Sequence, residues 1–301
     1  MNNYVDEIEK VISKKLDVRG MDKVGLRSDI ESTARDLSTS DNIVIVTGFC
    51  IRDCKIGETD GPIGALSLAY ALERLNKKVI IVTDGYTEKL IKFSKYIIDF
   101  QGEIFTVTHE NSEELSNKII KEFNPNHIIA IERPGRNKDG KSYSMRGEDI
   151  TDYCPNTDIL FEKAKEIGIR TSGIGDGGNE IGMGKISEYI IENVYKGEQI
   201  CAEIETDNLI VAGISNWGGY AVAAVLSVIN NEMVMYDYNI EVEILKKIVE
   251  LGAVDGCTKQ NTMSVDGLSF EEYIAVFNEI RNIVENTLES YNYSKLVAQK
   301  C

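Results

Sequence analysis

Histidine is nearly absent from this chain, with two in 301 residues. The six cysteines, at positions 50, 54, 154, 201, 257 and 301, include no Cys-x-x-Cys pair. Zinc sites recruit Cys and His at short fixed spacings, so the sequence argues against zinc. The cysteines read instead as buried free thiols, which suits a reducing, cytoplasmic setting. Cationic excess is lacking too: 33 Lys and Arg face 49 Asp and Glu, a net charge of −16. Nucleic acid and anionic membrane surfaces repel such a chain, and neither is expected as a partner. No apolar run is long enough to span a bilayer, and the first ten residues lack the basic-then-apolar order of a signal peptide. There are only four prolines and no Ser-rich linker. One α/β domain over residues 41–301 is therefore expected, with residues 1–40 supplying helices (4–16 and 26–37) packed on it.

What the chain does contain is a regular alternation of two patterns. Short β-branched runs at 42–48, 78–83, 103–107, 127–132, 169–174 and 208–213 have the continuous apolar character of strands buried on both faces. Between and after them lie helix-like stretches at 63–75, 88–100, 113–123, 158–167, 220–228, 242–251 and 270–288. The spacings suit right-handed βαβ crossovers, which predicts an α/β fold with a mainly parallel, doubly wound sheet and helices on both faces. The tail after Tyr291 reads as frayed. The apolar helix at 220–228 suits either a core or a contact between copies, which leaves a homo-oligomer open.

The most unusual stretch is Gly173-Ile-Gly-Asp-Gly-Gly-Asn-Glu-Ile-Gly-Met-Gly-Lys185, which follows a strand-like run. Gly173, Gly175 and Gly178 match G-x-G-x-x-G, the spacing of a dinucleotide fingerprint. Asp176, however, lies inside the turn where a pyrophosphate would need N–H donors. A second reading makes the stretch a turn with Asp176 capping a helix. A third makes it one wall of a cation site, because Gly57-Glu-Thr-Asp-Gly-Pro-Ile-Gly64 has the same character after the first strand. In a parallel sheet both loops leave the carboxyl edge and can converge there. Glu58, Asp60, Asp176 and Glu180 would then repel one another unless protonated or bridged by a metal ion. An oxygen-only set suits Mg²⁺, Mn²⁺ or Ca²⁺. Asp84, at the end of the second strand, is a further candidate.

The basic counterpart is Glu132-Arg-Pro-Gly-Arg136. Arg133 and Arg136 could meet a carboxylate or phosphate in fork geometry, and Lys138, Lys141, Tyr143 and Arg146 extend the loop. A solvated charged loop is the plainer reading. Ser215-Asn216-Trp217 places the single tryptophan beside an amide at a strand end, for core packing or for ligand contact. Asp255-Gly-Cys-Thr258 and Val265-Asp266-Gly267 add acidic turns.

Taken in order, Glu58-Thr-Asp-Gly-Pro62, Glu132-Arg-Pro-Gly-Arg136, Gly175-Asp-Gly-Gly-Asn-Glu-Ile-Gly-Met-Gly-Lys185, Ser215-Asn-Trp-Gly-Gly219 and Gly252-Ala-Val-Asp-Gly256 resemble the C-terminal domain of the D-glutamate cyclase family, over about residues 43–268. The resemblance implies an α/β domain and a carbon–oxygen lyase reaction, the dehydration of D-glutamate to 5-oxo-D-proline, with a divalent metal ion. The family's enzyme carries an additional N-terminal domain, where this sequence offers two short helices. On this reading Asp60, Asp176 and Glu180 hold the metal ion. Arg133 or Arg136 fixes the substrate's α-carboxylate, with Asn179 and Asn216 as further substrate contacts. Glu58 or Asp84 accepts the ammonium proton, and Lys185 or Tyr143 donates to the departing oxygen. The substrate is then a small molecule, an acidic amino acid. The same residues leave room for a Mn- or Mg-dependent phosphohydrolase, or for a non-catalytic protein that binds a metal ion or small molecule.

Overall fold

Six strands form one parallel sheet: β1 (Asn42–Thr47), β4 (Lys78–Asp84), β5 (Ile104–Val107), β6 (His127–Ile131), β7 (Arg170–Gly175) and β8 (Asn208–Val211). The structure, a computed structural model, describes residues 3–24 and 29–298. The spatial order is β5-β4-β1-β6-β7-β8. In β1, Ile43 lies opposite Val79 of β4 on one side and His127 of β6 on the other. The chain thus winds outward from β1 in one direction, returns, and winds outward again from β6. The crevice at the carboxyl ends of β1 and β6 is the topological switch point, where an open α/β sheet takes its ligand.

Side chains alternate strictly between the two faces of the sheet, as the pleat requires. Ile43 and Ile45 pack with one helical layer; Val44 and Val46 pack with the other. The first layer contains α1 (Asn3–Ile12), α2 (Ile30–Thr39), α3 (Pro62–Arg74), α4 (Glu88–Ser94), α9 (Ser215–Asn230), α10 (Tyr238–Glu250) and α11 (Phe270–Ala298). The second is built on α6 (Asp158–Ile167), with Leu160, Phe161 and Ala164 facing the strands. α9 is buried from Ser215 to Val228, so this apolar helix is core in the described structure. Trp217 belongs to that core. α3 and α9 touch through glycine: a Cβ on Gly64 would sit 2.8 Å from Asn216 Cα. The other end of the layer is tied by Glu241, whose buried carboxylate accepts from the hydroxyls of Tyr220, Tyr236 and Tyr273.

Several element boundaries differ from expectation. The helix expected at 88–100 ends at Ser94, and that at 113–123 is α5 (Ser112–Lys118) followed by a π-helical turn, Ile119–Phe123. The helix expected at 26–37 is seen as Ile30–Thr39; its residues 26–28 lie outside the described ones, as does Cys301. The last helix runs on to Ala298, past the point where fraying was expected. A short antiparallel pair, β2 (Cys50–Ile51) and β3 (Ile56–Gly57), escaped the sequence reading because two-residue strands carry no periodicity. Ser215-Asn-Trp is the first turn of α9 rather than a loop leading to it. The five described cysteines are free; Cys50, Cys154 and Cys201 are buried, whereas Cys54 and Cys257 are exposed.

Candidate metal and substrate site

Three acids meet at the switch point. Asp60 lies in the loop between β3 and α3, Glu132 immediately follows β6, and Asp176 immediately follows β7. Each offers a carboxylate oxygen, these oxygens lie within 4.8 Å of one another, and all three residues are buried. Asp60 is clamped by backbone donors. Its Oδ1 accepts from Asn216 N at 2.8 Å and Gly61 N at 3.0 Å, and its Oδ2 from Ser215 N at 2.9 Å. The free N–H groups of the first turn of α9 therefore face a carboxylate, an arrangement that helix ends favour. Glu132 accepts from Ser215 Oγ at 2.5 Å. Its backbone sits at φ 45°, in the left-handed region that a non-glycine residue enters at a cost. Gly61 makes this possible, since a Cβ there would lie 2.6 Å from Glu132 Cβ.

Glu180 behaves differently from expectation. Its carboxylate accepts from the main-chain N–H groups of Asp176 (3.1 Å), Gly177 (2.8 Å) and Gly178 (2.7 Å). These are donors that a phosphate would occupy in a dinucleotide cradle. The loop fills its own anion nest, and that removes the fingerprint reading. No helix begins at Asp176, so it is not a helix cap either. Glu180 is thereby committed to the backbone, and Glu132 takes the third place among the clustered oxygens. Sequence reasoning quoted Glu132 only as a neighbour of Arg133. Its position at the end of a central strand was the signal that could have found it.

A fourth group arrives from the N-terminal segment. Arg19, at the end of the 3-10 turn Leu16–Arg19, pairs through Nη1 with Asp176 Oδ1 and through Nη2 with Asp266 Oδ2. The segment is held by Met21, buried against Met183, Ile186 and Ile190, and by Tyr189, whose hydroxyl donates to the Gly20 carbonyl at 2.7 Å. Arg19, Asp266 and the buried Glu58 and Glu132 line a cavity of about 160 Å³. Burial and the neighbouring negative charges act together on the acids. Asp60 is pushed up to about 7 by burial and by Asp266, against the opposing bonds from Asn216 and Ser215. Burial first, then Asp266 and Asp60, raise Glu58 well above the carboxylate range. Burial, then Glu180 and Asp60, do the same to Glu132. Asp176 is raised by burial despite Arg19. Such a set needs protons or cations to coexist.

The remaining expected residues lie elsewhere. Asp84 and Arg133 form a buried ion pair. Asp84 Oδ1 also accepts from Tyr86 N and Thr87 N, while Arg133 spends its other donors on Thr157 Oγ1 and the carbonyls of Gly48 and Pro155. Neither has a face left for substrate, so the pair fastens the loops around the crevice. Arg136 is fixed through its backbone to Asp158 Oδ2 at 2.8 Å and does not line the cavity. Tyr143 donates to Asp139 Oδ2 at 2.5 Å, and its carbonyl accepts from Asn179 Nδ2 at 2.7 Å. Asn216 Oδ1 accepts from Gly61 N and Gly64 N, which makes it a brace for the Asp60 loop. Lys185 bonds Asp29 and the Asp207 carbonyl, where β8 begins, at the edge of the sheet opposite the cluster. Lys185 therefore stands away from the cavity and the clustered acids, where the expected donor to a departing oxygen would be needed.

Asp60, Glu132 and Asp176 could hold a metal ion. All three offer hard oxygen donors, and Asp176 Oδ2 is buried without a hydrogen-bond partner. Both features fit a divalent cation of the Mg²⁺, Mn²⁺ or Ca²⁺ type. A protein family described as D-glutamate cyclase-like, C-terminal, matches residues 8–281 of the chain. The chain belongs to that family. A D-glutamate cyclase-like relative, the mitochondrial D-glutamate cyclase of Homo sapiens, is 32% identical over 259 residues, covering 81% of this chain and 41% of the human protein. The chain thus spans about two-fifths of the length of that relative. The D-glutamate cyclase-like match reaches beyond the 43–268 expected from the loops. It takes in Arg19, which short motifs could not flag because a lone arginine after an amphipathic helix has no pattern.

Proposed function

We propose that the chain is a D-glutamate cyclase-like lyase that converts D-glutamate to 5-oxo-D-proline with a divalent ion at Asp60, Glu132 and Asp176. The observation that carries this reading is the meeting of three buried carboxylates, one of which, Glu132, lines a small cavity, in a chain of this family. In the reaction the amine nitrogen bonds to the γ-carbon, one γ-carbon–oxygen bond breaks, and two protons pass from nitrogen to the departing oxygen, which leaves as water. A divalent ion, when bound, would supply Lewis-acid polarisation of the γ-carboxylate.

The chain's own residues do the rest. Glu58, buried in the cavity lining, relays the protons by giving one to the departing oxygen and taking one back from the ammonium group. Arg19 lies beside it and limits the negative charge that the substrate's carboxylates meet. Partial enclosure by the cavity walls strengthens these electrostatic interactions. Closure of a five-membered ring needs amine and γ-carbon held together, and a cavity of about 160 Å³ suits one small amino acid. A phosphate ester would meet the acids Glu58, Glu132 and Asp266 of this lining at a disadvantage, which disfavours a phosphohydrolase. Among the described residues no helix is long and apolar enough to cross a membrane; with the buried free thiols, the cytoplasm is the proposed compartment.

The direct test is chiral chromatography of the purified chain incubated with D-glutamate and Mn²⁺ or Mg²⁺. Formation of 5-oxo-D-proline is the expected result. Its absence at every metal loading would leave a protein that binds metal ions or small molecules without turnover.

A further inference from the structure

The buried charged residues of the cavity lining are Glu58 and Glu132, whereas Arg52, Arg146 and Lys259 are more exposed cations of the lining, beside Asp53 and Glu148. Two of these cations are already paired: Arg52 with Glu148 at 2.7 Å, and Lys259 with Asp53. Arg146 has no acidic partner among the described residues. Its guanidinium makes one hydrogen bond, from Nη2 to the Cys257 carbonyl at 3.2 Å. Its backbone, by contrast, is firmly held. The Arg146 carbonyl accepts from Lys196 Nζ at 2.9 Å, the Gly147 carbonyl from Gln199 Nε2 at 3.1 Å, and Gly147 N donates to Ser144 O at 2.8 Å. Gly147 turns the chain at φ 73°, a conformation that glycine adopts freely. A rigid turn therefore presents one arginine, four of its N–H groups unused, over a cavity lined in part by acids.

We propose that Arg146 binds a carboxylate of the ligand at the mouth of this cavity, and thereby selects small dicarboxylates and acidic amino acids over neutral ones. Its planar fork matches a carboxylate with two parallel bonds, and partial withdrawal from water at the cavity mouth strengthens them. This places anion recognition at Arg146, in the stretch beyond Arg136, and frees Arg133 for its pair with Asp84. The inference rests on the reading of the cavity as a site for an acidic amino acid. It concerns binding, however, and not turnover.

The test uses glutarate, which has the five-carbon dicarboxylate frame and cannot cyclise, titrated calorimetrically into the full chain with Mn²⁺ present. Wild-type protein binds glutarate, and Arg146→Ala weakens it by about 10- to 100-fold, the range of a charge-assisted hydrogen bond. Arg146→Lys recovers part of the loss, because charge is restored without the fork. Mn²⁺ affinity, measured alongside, stays at the wild-type value and shows that the variant is folded. Equal glutarate affinity in Arg146→Ala, or none in the wild type, overturns the proposal. Loss of glutarate binding in the variant, in a chain that forms no 5-oxoproline, supports Arg146 while removing the cyclase reading. Turnover of D-glutamate with an unchanged KM in Arg146→Ala does the opposite.

Discussion

Arg19 Nη1 donates to Asp176 Oδ1, while Oδ2 of the same carboxylate is buried with no partner, beside Asp60 and Glu132. One side chain thus has one oxygen committed to an internal cation and the other available to an external one. Arg19→Gln removes the internal cation and leaves Asp176 and Asp266 unpaired in a confined space. Loss of one partner from a buried pair costs several kcal/mol, and partial exposure of Arg19 reduces this to about 1–3 kcal/mol. Urea unfolding without divalent ions should show that loss, and saturating Mn²⁺ should recover part of it. A variant as stable as wild type in the absence of ions would sink the assignment.

Asp176 and Glu180 are four residues apart on one loop but have different tasks. Asp176→Asn should abolish tight Mn²⁺ binding and leave the fold intact, and Glu132→Gln should do the same. Glu180→Gln should mainly destabilise the loop, since an NH2 group, which cannot accept from the N–H groups of residues 176–178, replaces one of its two oxygens. Calorimetric stoichiometry of Mn²⁺ against the unfolding midpoint separates the two effects. Stoichiometric binding retained in Asp176→Asn would refute its role as a ligand.

Gly64 has a role that its neighbours in the sequence do not reveal. A Cβ there would press on the Asn216 backbone, at 2.8 Å from Cα and 3.2 Å from the carbonyl oxygen. Asn216 N in turn holds Asp60. Gly64→Ala should therefore cost about 1–3 kcal/mol by overpacking and weaken Mn²⁺ binding as well. An alanine variant with wild-type unfolding and wild-type ion affinity would show that the helices part without disturbing the site.

His127 supplies a pH signature remote from the acids. Burial lowers its pKa to about 4, and its Nε2 lies 2.8 Å from Ser172 Oγ. The unfolded chain binds a proton near 6.5, so between about 6.5 and 4 the unfolded state carries more protons and stability falls as pH falls. The expected contribution is up to about 1.4 kcal/mol per pH unit in that window, and none above it. Denaturant unfolding of wild type and His127→Gln from pH 7.5 to 4.5 should diverge only on the acid side. Parallel pH profiles would exclude the effect.

The sheet was legible because its strands are uninterrupted β-branched runs and the crossovers have ordinary lengths. The convergence of the loops at 57–64 and 173–185 followed from parallel topology alone. What pattern could not supply was the division of labour among like residues. Glu180 and Glu132 are equivalent acids until the backbone shows which one faces three N–H groups. Arg133 and Arg146 are equivalent arginines until burial shows that one is spent on Asp84. Arg19 carried no motif at all, since its role arises from a strap anchored by Met21 and Tyr189. Lys185 was misplaced because a glycine-rich loop can carry its last residue to the far edge of the sheet.

Arg19 and Asp266, joined in the cavity lining, are 247 residues apart in the chain. The acids at 58, 60, 132 and 176 all fall between them. During synthesis these acids emerge one after another, while Asp266 appears only when most of the polypeptide has been made. Contacts of such long separation form late, because the intervening chain must be ordered first. Until then Arg19 lacks the second of its two carboxylate partners. The acids at 58, 60, 132 and 176 are thus bracketed by a tie that closes after all of them have been made.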